Sequence, residues 1–389
     1  MTDCEERRCA LPSCGQLVGT TEGQKYCSVE HRLEARRLRA ERNAEPAHTS
    51  SLARSGRSLG SAAEPSARAP VYGLEPSAAL VSREAPLASE LTESRIVRRS
   101  PAAAAWGWRG LAYRWSGRRI HVTPSSAERQ YRACVEQIRR DLVGPHHVAI
   151  VSLKGGVGKT TIAAGLGLTL AEHRGDRVVA IDATPNPGTL AERLVGSAEI
   201  PNTISQLVAR ADTIDSFAAT LDYTSLAGRL EVVASDQDPN ISTVLDRDGY
   251  ASASELLGRY FDVVLTDSGT GMIHSAMRAT LTVADSLVVV GTPTVDGASR
   301  AAKTLDWLTA HGHGGLVSRA ILVLSCDRTS RDVDGRSLRR HFDARCRSVH
   351  DLPYDPHLAT GGRIELDALT GSSRRVLMEV AADVADDFA

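Results

Sequence analysis

The sequence predicts a doubly wound α/β domain with a mostly parallel sheet over residues 146–389 of the 389-residue chain. Six short apolar runs in this region are expected to form buried strands: VAIVSL, RVVAID, LEVVAS, FDVVLTD, SLVVVG and AILVLS. Segments with helical periodicity lie between them, including TTIAAGLGLTLAEH and VDGASRAAKTLDWLTAH. Buried strands that alternate with helices are typical of a parallel sheet covered on both faces.

The front of the chain differs in composition. Residues 1–145 carry 23 Arg and Lys against 16 Asp and Glu, whereas residues 146–389 carry 23 against 31. Residues 41–100 are rich in Ala, Ser, Pro, Arg and Glu and have little apolar periodicity, which predicts a disordered linker. Residues 101–145 contain a Trp/Arg-rich segment and the helical stretch SSAERQYRACVEQIRRDL, which we expect to pack on the α/β domain. A stacking platform for single strands or an interfacial anchor are alternatives for the tryptophans.

No apolar run approaches the roughly 18 residues that a membrane helix needs. The first residues, MTDCEERRCALPSC, lack the apolar core of a secretory signal. The last turns carry Glu379, Asp383, Asp386 and Asp387, which anionic lipid would repel, so a C-terminal membrane helix is not expected. These features, with a composition rich in Ala, Arg and Gly, predict a cytoplasmic bacterial protein.

Four of the seven cysteines lie within the first 27 residues. Two short segments, CALPSCGQ and KYCSVEHR, resemble the knuckles of a treble-clef zinc finger. The predicted Zn²⁺ ligands are Cys9, Cys14, Cys27 and His31, with Cys4 as a rival ligand or a spare. Residues 1–40 are too short to bury much core, so a metal would explain their folding, with a basic helix, HRLEARRLR, at their end. Unliganded cysteines on a disordered tail are the alternative, and the finger could contact nucleic acid, dock a protein or be purely structural.

A glycine-rich segment, KGGVGKTT, follows the first predicted strand and precedes a helix, which is the setting of a phosphate-binding loop. Glycines let the backbone N–H groups point at phosphate oxygens, and the helix N-terminus adds partial positive charge. We expect Lys159 to contact the β- and γ-phosphates and the Thr160 hydroxyl to bind Mg²⁺. The candidate nucleotide-binding residues of this loop are Gly155, Gly156, Val157, Gly158, Lys159, Thr160 and Thr161.

The run FDVVLTD ends in Asp267 about a hundred residues after the loop. A carboxylate at the end of an apolar strand is the second element of a nucleotide-hydrolysing site, where it holds Mg²⁺. Asp267 and Thr160 are therefore the predicted magnesium ligands.

The loop resembles the deviant Walker A motif of the ParA/MinD family of P-loop ATPases, because Lys154 accompanies Lys159 in KGGVGKTT. In that family the extra lysine reaches across a nucleotide-sandwich dimer to the partner's phosphates, so the resemblance implies an ATP-dependent homodimer with Lys154, Lys159 and Asp182 as catalytic residues. The family commonly carries a second acidic residue two positions after Asp182, where this chain has Thr184. A threonine cannot accept a proton as a carboxylate does, so two alternatives stay open: Asp182 compensates, or turnover is slow. Nucleotide binding is expected in either case.

Residues that could contact the nucleotide base are less clearly indicated than those of the phosphate loop. The family usually contacts adenine at the end of the strand AILVLS, often through Asn, and Ser325, Cys326 and Asp327 stand there instead. The later segment DLPYDPHLATGG resembles the loop that closes over the base, with Pro353 and Tyr354 as candidate contacts. An ordinary strand-to-helix turn is the alternative for this segment.

A narrower resemblance comes from DATPNPGTLAERL, ASDQDPNIS, VLTDSGTGMIHSAM and TVDGASRAAKTLDWL. These segments look like the MinD-like, EspI-like ATPases of actinobacterial type VII (ESX) secretion loci. The implied function is an ATP-hydrolysing dimerisation switch that recruits or positions a partner complex. Two alternatives stay open: a ParA-like or zinc-finger DNA-binding protein, which the basic front favours, and an ATP-binding scaffold with little hydrolysis.

Overall fold

The computed structural model describes Trp115 and residues 123–184, 187–196, 202–237, 245–269, 275–326 and 333–388. Residues 126–389 belong to one compact unit. The zinc-finger prediction for residues 1–40, the linker prediction for residues 41–100, and the tryptophans at 106 and 108 lie outside the described residues.

One sheet organises this unit, with the strand order β3-β4-β2-β5-β1-β6-β7-β8. The strands are β1 (His146–Val151), β2 (Val178–Ala183), β3 (Ser225–Ala227), β4 (Leu230–Val233), β5 (Val263–Ser268), β6 (Ser286–Gly291), β7 (Ile321–Ser325) and β8 (Ser348–Leu352). Neighbouring strands are parallel except for the β3–β4 pair. The predicted mostly parallel α/β fold is confirmed.

Helices connect the strands and cover both faces of the sheet. The α-helices of the described residues are α1 (Ser126–Ile138), α2 (Lys159–His173), α3 (Leu190–Val195), α4 (Ile204–Ala209), α5 (Phe217–Thr220), α6 (Arg247–Gly258), α7 (Ser275–Val283), α8 (Val295–Ala310), α9 (Gly314–Ser318), α10 (Gly335–Asp343), α11 (Pro356–Ala359) and α12 (Gly371–Ala385). Short 3-10 helices span Ala211–Thr213, Leu221–Tyr223 and Leu366–Ala368.

The central strand β1 shows how the core is divided. Val148 and Ile150 belong to the apolar cluster that includes residues of α2 and α12. Ala149 and Val151 point to the other face and belong to a cluster with residues of α8. Because side chains alternate along a strand, a strand buried on both faces reads as a continuous apolar run, which is why VAIVSL was recognisable.

Two strands of the sheet were not predicted, and both lie at its edges. Strand β3 has only three residues and pairs with β4 in the antiparallel sense. Strand β8, SVHDL, carries polar residues and is only partly buried. An edge strand is paired on one side only, so its sequence need not show the apolar run of an inner strand.

The C-terminal helix α12 packs against α1 and β8. The Gln130 amide donates to Glu379 at 2.8 Å, and His350 Nε2 lies 2.6 Å from Asp383 Oδ2. These two acidic residues near the end of the chain are therefore engaged by neighbouring elements. Within the described residues, no helix combines the length and apolar character that crossing a membrane requires.

Helix α2 approaches α12 closely at Gly165, where an added Cβ would lie 2.8 Å from Leu377 Cδ1. We expect Gly165→Val to lower the free energy of unfolding by about 1–3 kcal/mol, because extra methyl groups cannot fit beside the buried leucine. Denaturant unfolding of the full chain measures the change. Gly175→Val is the matched control, since nothing lies within 4 Å of its added Cβ; an equal loss in both variants would contradict the packing argument.

Candidate functional site

The candidate site lies at the carboxyl edge of the sheet, where β1, β2 and β5 end side by side. Strand β5 lies between β1 and β2 in the sheet, and β6 pairs with β1 on its other side. The chain therefore adds strands first on one side of β1 and then on the other. Asp182 at the end of β2 is the register partner of Asp267 at the end of β5. In open α/β sheets, ligands bind at the carboxyl ends of the strands near such a change of direction.

The glycine-rich loop between β1 and α2 has the backbone of a phosphate cradle. Gly156 and Gly158 have φ angles of 72° and 95°, a left-handed conformation that glycine adopts without strain. Helix α2 begins at Lys159 directly after Gly158, and no side chain caps its N-terminus. The first N–H groups of α2 are therefore directed at the space above the loop, where an anion would be favoured.

Asp267 is the most unusual group of the site. It is 1% exposed, and neither of its carboxylate oxygens has a hydrogen-bond partner among the described residues. Burial, and then the negative charge of Asp182, raise the pKa of Asp267 to about 7. Lys159, also buried, is attracted to Asp267, although burial lowers the pKa of its ammonium group. A buried carboxylate without a hydrogen bond of ordinary geometry is costly, and a bound cation would relieve that cost.

Asp182 has a different environment. Its Oδ1 accepts hydrogen bonds from the Thr184 hydroxyl at 2.6 Å and the Thr184 N–H at 3.2 Å, and its Oδ2 accepts from Leu190 N–H at 3.1 Å. Burial raises the pKa of Asp182, and these hydrogen bonds oppose the rise. Gly188 lies so close that an added Cβ would meet Asp182 Oδ2 at 2.1 Å. Asp182 thus holds the start of α3 in place.

Lys154 lies apart from Lys159, on the outer side of the loop. Its ammonium group donates to Asp296 Oδ2 at 2.7 Å, in the first turn of α8, and both side chains are substantially exposed to solvent. The hydrogen bond and the positive charge of Lys154 lower the pKa of Asp296. The two lysines of one loop therefore face different surroundings, one buried and one at the surface.

The candidate base contacts lie where β7 and β8 end. Ser325 adjoins the phosphate cradle, because a Cβ on Gly158 would lie 3.1 Å from its hydroxyl oxygen. The Cys326 N–H donates to the carbonyl of Leu352, the last residue of β8. Pro353 and Tyr354 therefore follow directly after the carboxyl end of β8, beside the end of β7. Tyr354 is 57% exposed. Asp327 lies outside the described residues.

The buried residue Asp355 fixes the chain that follows Tyr354. Its Oδ1 accepts from the N–H groups of His357 and Leu358 at the start of α11, and its Oδ2 accepts from the N–H and hydroxyl of Thr370 before α12. The hydrogen bonds of Asp355 therefore fix the backbone immediately after the exposed Tyr354.

The residues of the cradle fit a magnesium–nucleotide complex. The uncapped N-terminus of α2 and the left-handed glycines suit phosphate oxygens, and the unpartnered oxygens of Asp267 suit a hard cation. Thr160 lies in the first turn of α2 and would supply a hydroxyl ligand. The predicted zinc ligands Cys9, Cys14, Cys27 and His31 lie outside the described residues. Within the part of the chain that is described, no group of three or more His, Cys, Asp or Glu side chains is arranged to hold a metal ion.

The structure adds residues to the site that the sequence did not indicate. Asp296 binds Lys154, Gly188 makes room for the Asp182 carboxylate, and Arg193 Nη1 donates to the Thr161 hydroxyl at 2.6 Å. All three contacts join positions far apart in the sequence or across a loop. The spacing of residues along the sequence gives no signal for such contacts.

The strand, glycine loop and helix, with a buried lysine and a carboxylate on the neighbouring strand, define a P-loop nucleotide-binding domain. A family model described as the CobQ/CobB/MinD/ParA nucleotide binding domain matches residues 148–249. Residues 148–249 therefore form a nucleotide-binding domain of the CobQ/CobB/MinD/ParA type.

Among curated proteins, the chain is similar to the ESX-1 secretion-associated protein EspI of Mycobacterium tuberculosis, in strains CDC 1551 and H37Rv. The two sequences are 33% identical over 286 residues, which is 72% of this chain and 42% of the relative. The chain thus spans less than half the length of the curated relatives that it matches.

Solved structures show the same fold at low sequence identity. The ParA family ATPase from Chlorobium tepidum TLS is 20% identical with a TM-score of 0.53, over 61% of this chain and 98% of that chain. The septum site-determining protein MinD from Pyrococcus horikoshii OT3, solved with Mg-ADP, is 20% identical with a TM-score of 0.50, over 61% of this chain and 94% of that chain.

The buried charge of Asp267 should lower the stability of the nucleotide-free protein. Its pKa is about 7 in the folded chain against a usual 3.8, so the destabilisation develops as pH rises between these values and is complete above pH 7. We expect Asp267→Asn to raise the free energy of unfolding by about 1 kcal/mol at pH 8 and to have a smaller effect at pH 5.

Thermal unfolding at the two pH values measures this effect, and magnesium-dependent nucleotide binding by the same variant should be lost. A variant that is less stable than wild type at pH 8 would show that Asp267 contributes to the fold rather than opposing it.

Proposed function

We propose that the chain is an ATP-dependent dimerisation switch that hydrolyses ATP to ADP and phosphate and recruits or positions a partner complex. The observation that carries this proposal is the contrast between two lysines of one loop. Lys159 is buried beside Asp267, whereas Lys154 reaches the surface. One positive charge serves a nucleotide in its own subunit, and the other is available to a second subunit.

In the proposed nucleotide complex, the N–H groups of residues 155–158 and of the first turn of α2 hold phosphate oxygens. Lys159 neutralises the β- and γ-phosphates, and Thr160 and Asp267 hold Mg²⁺. The metal supplies charge neutralisation on the phosphate oxygens. Burial of Lys159 and Asp267 supports this assignment, because charges act more strongly where water is excluded.

Dimerisation requires Lys154 to leave Asp296. The ion pair is exposed, and exposed pairs contribute little to stability, so the phosphates of a second subunit would compete well for the ammonium group. Arg300, four residues after Asp296 on α8, also contacts this carboxylate at 3.4 Å and can keep it paired when Lys154 leaves. The Lys154–Asp296 contact is thus a low-cost resting state of the proposed switch.

The proposed hydrolysis is slow, and the alternative function is a scaffold that binds ATP with little hydrolysis. The Thr184 hydroxyl donates to Asp182, and both Asp182 oxygens accept hydrogen bonds from the chain. In this arrangement Asp182 orients an attacking water through Thr184 rather than by taking its proton. The arrangement favours a low turnover rate.

The proposed setting is type VII secretion in the cytoplasm of a bacterium, because the curated relative is described as secretion-associated. The partner is proposed to be a protein complex of that system. A role for residues 1–40 in nucleic-acid binding through a zinc site is a separate proposal that rests on the sequence alone. DNA affinity that depends on residues 1–145 would favour the finger, and affinity that survives their deletion would favour a ParA-like partition function.

The function is tested by ATP binding and turnover in wild type and Lys159→Ala. We expect magnesium-dependent turnover in wild type and at least about 100-fold weaker ATP binding in the variant, because a buried charge–phosphate contact is lost. Lys303→Ala is the matched control: Lys303 lies on the exposed face of α8 and should be replaceable without effect.

Two results would decide against parts of the proposal. Absence of ATP binding by wild type would overturn it. ATP binding with turnover equal to that of Lys159→Ala would exclude the hydrolase and leave the scaffold.

A further inference from the structure

The geometry points to Arg193 as a further phosphate-binding residue of the nucleotide site, supplied by α3 of the same subunit. This inference rests on the proposed nucleotide binding and goes beyond the loop residues and Asp267. Arg193 Nη1 donates to the hydroxyl of Thr161, the third residue of α2, at 2.6 Å. The guanidinium group therefore lies beside the first turn of the helix that holds the phosphates.

The surroundings of Arg193 favour an anionic ligand. Among the described residues, no carboxylate forms an ion pair with Arg193 within 4.0 Å, although it is attracted to Asp267 over a longer distance. The N-terminus of α2 carries partial positive charge, and Lys159 lies in the same turn. A half-buried guanidinium group loses hydration that the Asp267 carboxylate replaces only in part, and phosphate oxygens would supply the missing contacts.

The hydrogen bonds of Arg193 leave donors for such a ligand. Nη1 contacts Thr161, and Nε lies 3.5 Å from the carbonyl of Gly362, which is at the outer limit of a hydrogen bond. Nη2 donates to none of the described residues. A guanidinium group has five N–H donors in a planar fork, so it can still bind a phosphate oxygen pair while touching Thr161.

Arg193 also joins two loops that border the site. Its carbonyl accepts from the N–H of Ile364 at 2.7 Å, in the segment that follows Tyr354 and α11. Helix α3, which carries Arg193, begins at Leu190, the residue that Asp182 holds. A phosphate bound by Arg193 would therefore fix the loop after β2 and the loop after β8 together.

The test compares Arg193→Met, Arg193→Lys and the control Arg210→Met, an exposed arginine at the end of α4, in the full chain. Affinities are measured for ATP–Mg²⁺, ADP–Mg²⁺ and inorganic tripolyphosphate–Mg²⁺. We expect Arg193→Met to weaken all three by about 10- to 100-fold, the usual effect of a lost hydrogen bond to a charged group. Arg193→Lys should recover part of the loss, and Arg210→Met should bind like wild type.

The outcomes separate this inference from the proposed function. Wild type that binds no nucleotide would overturn the proposed function itself. Wild-type binding with Arg193→Met within about twofold for every ligand would overturn only the role of Arg193. Weaker ATP binding with unchanged tripolyphosphate binding, or equal losses in the Met and Lys variants, would show that Arg193 merely holds the neighbouring loops. Thermal unfolding of the nucleotide-free variants checks that they fold.

Discussion

The arrangement of the site depends on two carboxylates that the parallel sheet places side by side. Asp182 and Asp267 end neighbouring strands in register, and both are buried. Two buried negative charges are tolerated only if each is compensated. Asp182 is compensated by hydrogen bonds from Thr184 and Leu190, whereas Asp267 is compensated only in part, by the nearby Thr160 hydroxyl and by the positive charges of Lys159 and Arg193. The Asp182 carboxylate is therefore satisfied by the chain itself, whereas the Asp267 carboxylate keeps the capacity to bind a cation.

Asp182 and Asp267 have different roles because their charges are compensated differently. Asp182 accepts a hydrogen bond from Leu190, so it connects the end of β2 to the start of α3. Neither carboxylate oxygen of Asp267 has a hydrogen bond of ordinary geometry within the described residues, and burial and the charge of Asp182 raise its pKa. A protein that keeps such a group gives up some stability for a binding function. The two lysines of the loop differ in a similar way: Lys159 is buried near Asp267, whereas Lys154 is exposed and pairs with Asp296.

Much of the fold and part of the site could be predicted, for physical reasons. Inner strands such as β6 are apolar on both faces, and the glycine loop needs its residues in a fixed local order, so both leave a local signal. The edge strands β3 and β8 lack that signal. The Lys154–Asp296 and Arg193–Thr161 contacts join separate elements, and only the fold brings them together. Base contacts by Pro353 and Tyr354 stay a prediction.

The central claim is that ATP joins two subunits through Lys154. The most direct measurement is the molecular mass in solution with ATP–Mg²⁺ and with ADP, for wild type, Lys154→Ala and Asp296→Asn. The account predicts that wild type changes from 41.5 kDa with ADP to twice that mass with ATP, that Lys154→Ala stays monomeric, and that Asp296→Asn dimerises at lower protein concentration. One mass for wild type under both conditions, or an ATP-dependent dimer that persists in Lys154→Ala, would contradict it.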